Sequence, residues 1–119
     1  MVDNVSEEEF DRLVVDAIDE LPAWIQEVIE RENIVICSKE EAPPEVQAKR
    51  QGQVLGLFTG VPYGARSSVP LPARIELYRG PLLDNYDSKQ LKGAVKKTLI
   101  HEVAHFVGMD EQQVRRLGY

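Results

Sequence analysis

The chain has 119 residues and a mass of 13.4 kDa, so we expect residues 1–119 to form a single domain. Its 14 basic and 20 acidic residues give a net charge of −6, which argues against broad electrostatic binding to nucleic acid or to anionic lipid. No apolar stretch approaches the ~18 residues of a membrane span, and no signal peptide is expected. The single cysteine, Cys37, rules out a disulfide within the chain and favours a reducing, cytoplasmic location.

The charge is unevenly distributed along the chain. Residues 1–50 contain 14 acidic and 5 basic side chains, whereas residues 51–119 contain 6 acidic and 9 basic ones. The simpler interpretation is a solvated acidic helical face in the first half. The alternative is an acidic lid over a more basic catalytic half.

Two helices are predicted first. Ser6 and Glu9 have the spacing of a capping box at the start of a helix. Apolar residues then recur every three or four positions, at Phe10, Leu13, Val14, Ala17, Ile18 and Leu21. Pro22 suits the first turn of a second, shorter helix, whose buried face would consist of Ile25, Val28 and Ile29.

Three short strands are predicted after these helices, at residues 34–37, 54–59 and 74–79. We interpret Cys37, in the first strand, as a small core residue. The polar residues 39–53 form a loop with a helical turn over residues 45–50. Glycines recur at positions 52, 56, 60 and 64, but no Lys-Ser/Thr follows them, so we predict turns and bulges rather than a phosphate-binding loop.

The carboxyl-terminal part is predicted to be helical. A long helix runs from Ser88, its candidate N-cap, to Val107, and Gly108 ends it. A last short helix begins at Asp110 and runs towards Leu117, because Asp110 and Gln113 have the spacing of a second capping box.

Both histidines of the chain lie in one segment, His101-Glu102-Val103-Ala104-His105. Positions i and i+4 share one face of a helix, so the two imidazoles can bind one metal ion. Glu102 projects about 100° away and can reach a water on that metal as a general base. This is the H-E-x-x-H arrangement of zinc hydrolases. Ordinary helix histidines are the alternative, but the flanking apolar residues predict a largely buried helix, where uncompensated polar groups are costly.

The third metal ligand is expected to be acidic. Gly108 lets the chain turn back, and Glu111 follows His101 by ten residues, where related zinc enzymes place their third ligand. Zinc accepts two histidines and one glutamate. Asp110 is the alternative, but its predicted capping role favours Glu111.

The sequence resembles the small bacterial zincin-like proteins, also called minimal metalloproteases. The resemblance includes 55–58, 72–79, the histidine motif and the segment from Gly108 to the end. It implies an α+β zincin-like fold, in which a small mixed sheet packs against the metal-binding helix. It also implies zinc bound by His101, His105 and the acidic residue at position 111, with Glu102 as the base. Family members usually carry Asp at that last position.

The resemblance implies hydrolysis of peptide bonds in a peptide or protein substrate. By analogy with larger zincins, the strand at residues 54–59 would lie nearest the cleft and offer its edge to an extended substrate. Tyr63 and Arg66, in the loop after that strand, are candidates for stabilising the oxyanion, but a plain surface loop is the favoured interpretation. Only 14 residues follow His105, so we expect an open cleft and weak activity, or completion of the site by a partner or by weak self-association of a monomer.

Three other functions were compared with this prediction. A bacterial endoribonuclease of ribosomal RNA maturation has matching ligand spacing, but it requires a third histidine where this chain has Glu111. Peptide deformylase shares the H-E-x-x-H motif, but its cysteine-ligand motif is absent. The third alternative is a metal-binding or metal-free interaction domain without turnover.

Overall fold

The structure is a computed structural model and describes residues 5–48, 52–60 and 73–118. The helices and strands alternate irregularly along the chain. In order they are α1 (Glu7–Asp19), α2 (Ala23–Arg31), β1 (Val35–Lys39), α3 (Pro44–Gln47), β2 (Gly56–Thr59), β3 (Arg74–Tyr78), α4 (Arg79–Asn85), α5 (Ser88–Phe106) and α6 (Glu111–Arg116).

The described strands form one mixed sheet in the order β1-β3-β2. β1 pairs with β3 in parallel, and β2 pairs with β3 antiparallel. This arrangement confirms the predicted α+β fold with a small mixed sheet. β2 lies at one edge of this sheet, beside α5.

The hydrophobic core lies between the sheet and the helices. Ile75 and Leu77 of β3 are fully buried on the side of the sheet that faces α5. The predicted apolar face of α1 also packs into this core, with Phe10 and Ala17 fully buried. Since helix and strand periodicities both point their apolar residues inward, the core holds α5 firmly against the sheet.

The helix ends agree with most of the sequence predictions. The Ser6 hydroxyl accepts a hydrogen bond from the backbone of Glu9, as the capping box predicts. The N-cap of α5 is Asp87 rather than Ser88, so that prediction was wrong. The Asp87 carboxylate accepts a hydrogen bond from the backbone N–H of Gln90, and the Gln90 side chain accepts one from the backbone N–H of Asp87. Asp and Ser are both good N-caps, and the negative charge of Asp87 also interacts favourably with the N-terminus of the helix.

Several predicted boundaries differ from the structure. The first strand begins at Val35 and extends to Lys39, and β2 begins only at Gly56. The helical turn predicted at residues 45–50 is α3, over Pro44–Gln47, and residues 49–51 lie outside the described part. Pro22 is the N-cap of α2 rather than a residue of its first turn.

Helix α4 was not predicted. The sequence suggested a strand as far as residue 79, but β3 ends at Tyr78 and α4 starts directly afterwards. Pro81 fits the first turn of a helix because its missing N–H has no partner there. Gly80 allows the close approach to β1, because a Cβ at this position would lie 2.8 Å from the carbonyl oxygen of Glu40.

The core interpretation of Cys37 was wrong. Its side chain is half-buried and lies outside the core cluster, with Sγ 3.3 Å from Nε of Arg74. The pleat explains this, since Ile36 takes the core side of β1 and Cys37 therefore points to the opposite face. On that face Glu76 is buried, and its carboxylate contacts Lys39, Arg74 and the Tyr78 hydroxyl.

The described part of the acidic first half, residues 5–48, does not form a lid over the cleft beside the histidine motif. Glu20 pairs with Lys92 and Lys96 of α5, and no residue of 5–48 lines that cleft. No helix among the described residues has the length and apolar character needed to cross a bilayer.

Candidate metal centre

The last turns of α5 hold the histidine motif in place. Leu99, Ile100, Val103 and Ala104 are buried around it, as predicted. The two histidines remain partly accessible, with side-chain exposures of 25% for His101 and 37% for His105. The core therefore fixes the helix, while the imidazoles lie at its surface.

A Schellman turn ends α5 and determines the position of His105. Gly108 has φ of 93°, a left-handed conformation that glycine adopts without strain. The N–H of Met109 then bonds the carbonyl of Ala104, and the N–H of Gly108 bonds that of His105. This reversal brings the Met109 carbonyl oxygen 2.9 Å from Nδ1 of His105. Gly108 thus ends the helix as the sequence predicted.

The contact with Met109 fixes the tautomer of His105. A carbonyl oxygen can only accept, so Nδ1 carries the proton and donates it to Met109. In the neutral ring Nε2 therefore keeps its lone pair. Metal-binding histidines are commonly held in this way by a carbonyl behind the ring.

His101, His105 and Glu111 form a cluster of three potential metal ligands. One ligand atom from each lies within 4.8 Å of the other two. Nε2 of His105 is 2.7 Å from Oε1 of Glu111, and Nδ1 of His101 is 3.9 Å from Oε2 of the same carboxylate. The structure thus brings together the three residues that the sequence analysis named, and their role as metal ligands stays a prediction.

His101 supports a ligand role because its ring nitrogens are uncommitted. Nε2 is buried and has no hydrogen-bond partner among the residues that the structure describes. The 3.9 Å from Nδ1 to Glu111 exceeds a hydrogen-bond distance. A buried polar atom without a partner costs free energy, and a metal ion bound to this nitrogen would remove that cost. Two imidazoles and a carboxylate are donors that zinc accepts.

The structure separates the roles of Asp110 and Glu111. The carboxylate of Asp110 accepts from the backbone N–H of Gln113 at 2.8 Å, and the Gln113 side chain accepts from the backbone of Asp110 at 2.8 Å. This is the predicted capping box at the N-terminus of α6. Glu111, 57% exposed, turns instead towards the two histidines.

The electrostatics around His105 favour a positive charge. Burial alone would lower the pKa of His105, but the hydrogen bonds to Met109 and Glu111 and the nearby charges of Glu111 and Glu102 outweigh it, so the pKa is raised. The same carboxylates that stabilise the imidazolium would stabilise a metal cation.

A cleft of about 350 Å³ runs from this cluster along α5. One wall is α5 itself, and the other is the chain segment from Gln53 to Gly56 that leads into β2. Gly56 permits the walls to meet, since a Cβ there would lie 2.8 Å from Cγ2 of Thr98. The strand nearest the cleft is therefore the one that the sequence analysis selected. Glu102 also lines this cleft.

Other cleft residues were not identified from the sequence. Lys97 and Thr98 line it, and their spacing from His101 places them on the same helix face, a signal that could have found them. Gln53 and Tyr86 also line it, but only the tertiary structure brings them there. Tyr63 and Arg66 lie outside the described residues, so their predicted role remains a prediction.

The architecture and the cluster define an α+β protein with a candidate metal centre at the end of one helix. Residues 31–119 match the family described as zincin-like metallopeptidase. The chain therefore belongs to this family. The matched part starts at the last residue of α2 and includes the sheet, α5 and α6. No curated protein matches the chain.

Proposed function

We propose that this protein is a zinc-dependent peptidase, in which His101, His105 and Glu111 bind the metal and Glu102 is the general base. The observation that carries the proposal is the three-donor cluster, together with the buried, unpartnered nitrogen of His101. Membership of a metallopeptidase family supports it. The substrate is a peptide or protein.

Each residue of the site has a separate task. Zinc held by the two histidines and Glu111 would lower the pKa of a water to about 7 and polarise a carbonyl. Glu102 accepts a proton from the attacking water and passes it to the leaving amine. The carbonyl of Met109 keeps the ring of His105 in the tautomer that leaves Nε2 available.

The cleft walls favour an extended substrate. β2 is an edge strand among those described, and the segment before it lines the cleft. Gly56 contacts Thr98, and Phe58 stacks on Phe106 with ring centroids 4.7 Å apart. β2 thus follows α5 in the same direction. A peptide beside β2 would therefore run along α5 and past the metal ligands.

The test is hydrolysis of an internally quenched peptide library by zinc-loaded protein, with Glu102→Gln beside wild type. The variant is expected to retain zinc and to lose roughly 10²- to 10⁴-fold in rate, the usual contribution of a general base. Glu27→Gln, an equal change on the exposed surface of α2, serves as the control and keeps full activity. Equal rates for wild type and Glu102→Gln, or no hydrolysis by zinc-loaded wild type, would contradict the proposal.

A further inference from the structure

Lys97 is a cation in the cleft, and none of the described residues provides it with a counterion. It is exposed, and no carboxylate of the described residues lies within salt-bridge distance of its ammonium group. The neighbouring lysines of α5 differ, because Lys92 and Lys96 both pair with Glu20 on another face of the helix. Of these three lysines, Lys97 alone lies in the cleft and has its charge available for a ligand.

The position of Lys97 sets its distance from the metal ligands. It precedes His101 by four residues, which corresponds to about 6 Å along the helix axis. An extended peptide rises about 3.3 Å per residue, so Lys97 lies about two substrate residues from the level of His101. The long lysine side chain can reach across one of these residues.

The charges along the cleft are segregated. Glu102 and Glu111 lie beside the two histidines, whereas the other described residues that line the cleft are uncharged except for Lys97. Gln53 is held by hydrogen bonds with Asp84 and Asn85 of α4, which fixes this wall. A substrate carboxylate at the level of Lys97 would therefore meet a positive charge, and a substrate cation would be repelled.

We propose that Lys97 determines specificity, so that the cleft selects peptides with a carboxylate within two residues of the scissile bond. This inference rests on the proposed function of the site. The carboxylate is either an acidic side chain or the carboxyl terminus of the substrate. Both present the same chemistry to an ammonium group.

The test measures binding to the zinc-loaded Glu102→Gln protein, in which peptides stay intact. The probes are fluorescein-labelled alanine–threonine octapeptides, blocked at both ends, with one Glu, Gln or Lys at each position in turn. A further octapeptide without acidic side chains carries a free carboxyl terminus. The affinity of each peptide is compared between the protein with Lys97 and the variants Lys97→Met and Lys97→Glu. Lys89→Met is the control for the loss of one exposed surface lysine of α5.

We expect the best Glu peptide to bind about three- to fivefold more tightly than its Gln counterpart, the upper part of the range measured for exposed ion pairs. Lys97→Met removes this preference, Lys97→Glu changes it to a preference for Lys, and Lys89→Met leaves it unchanged. If only the free carboxyl terminus shows the Lys97-dependent gain, the recognised group is the substrate terminus.

Three results would overturn the inference: equal binding of Glu and Gln peptides without a Lys97-dependent gain for the free carboxyl terminus, a carboxylate preference that survives Lys97→Met, or no peptide binding. Hydrolysis rates are also measured for wild type and for the Lys97 variants with Glu102 intact. These rates distinguish a failure of the proposed specificity from a failure of the proposed catalytic function. Hydrolysis without a Lys97-dependent preference contradicts only the specificity. A Lys97-dependent preference without hydrolysis contradicts only the catalytic proposal.

Discussion

Nε2 of His105 and Oε1 of Glu111 lie 2.7 Å apart, although the two residues belong to different helices. The turn at Gly108 and the capping box of Asp110 produce this contact, because they reverse the chain and start α6 with Glu111 on the inner side. The third donor of the candidate metal centre is thus placed by local backbone structure.

The adjacent residues Asp110 and Glu111 provide a matched pair of substitutions. Glu111→Gln is expected to weaken zinc binding by at least about tenfold, since even residues that only support metal ligands contribute about ten- to a hundredfold. Asp110→Asn makes the same change in charge but keeps a good N-cap, so zinc affinity changes little. Competition with a fluorescent zinc chelator measures the zinc affinity of both variants. A larger loss in Asp110→Asn would make Asp110 the ligand.

The contact between Gly56 and Thr98 predicts a specific coupling. Gly56→Ala places a Cβ 2.8 Å from Cγ2 of Thr98 and 3.1 Å from the carbonyl oxygen of Glu76, so we expect a loss of stability. Overpacking of this kind costs roughly 1–3 kcal/mol. Thr98→Ser removes Cγ2 but keeps the hydroxyl, which donates to the carbonyl of Ala94.

The double substitution Gly56→Ala/Thr98→Ser should therefore recover part of the lost stability, with a coupling of about 1 kcal/mol in urea denaturation. Thr98→Ser alone measures the separate cost of the lost methyl group. Strict additivity of the two single effects would show that the strand and the helix do not meet here.

The buried Glu76 predicts an acid-sensitive stability. Burial alone would raise the pKa of Glu76, but hydrogen bonds from Lys39 and Tyr78 and the charges of Lys39 and Arg74 outweigh it and lower the pKa. A lowered carboxyl pKa stabilises the fold above the unfolded value of about 4.3, and this stability is lost as the pH falls through the folded value.

The free energy of unfolding should therefore decrease on acidification below about pH 4.3. Glu76→Gln should reduce stability by roughly 1–2 kcal/mol at neutral pH and flatten this acid limb. Glu27→Gln controls for the loss of an exposed carboxylate. An acid limb that is equally steep in wild type and Glu76→Gln would contradict the assignment.

Tyr78 predicts a change at the alkaline end. Its burial and its hydrogen bond to Glu76 raise the pKa of Tyr78 to about 12. Since an unfolded tyrosine ionises near pH 10, the native state retains this proton longer and stability falls as the pH rises from about 10 towards 12. Phenolate absorbance should show a late phase that disappears in Tyr78→Phe. A titration that is unchanged in that variant would contradict the buried position.

The sequence identified the parts of this protein that depend on local patterns. The capping residues Ser6 and Asp110, the stop at Gly108 and the histidine spacing each follow from backbone requirements within a few residues. The candidate ligands could therefore be named without a structure. The preference for Glu111 over Asp110 followed from the capping box alone.

Features that depend on tertiary contacts were missed. The role of Gly56 is a close approach to Thr98, which its interpretation as a turn or bulge did not include. Helix α4 follows β3 without an intervening loop, and the local signal of Pro81 in its first turn was not used. Cys37 points away from the core because the register of β1 turns it to the other face, and a short apolar run does not define that register.

The proposed zinc site is tested most directly by the zinc content of untagged protein purified without chelator. Mass spectrometry determines this content in wild type and in His101→Ala. Circular dichroism of both proteins confirms that the variant is folded. If His101 is a ligand of a single zinc site, wild type contains about one zinc per chain and the variant has lost it. A folded wild-type protein that contains no zinc and takes up none on titration would contradict the proposed site.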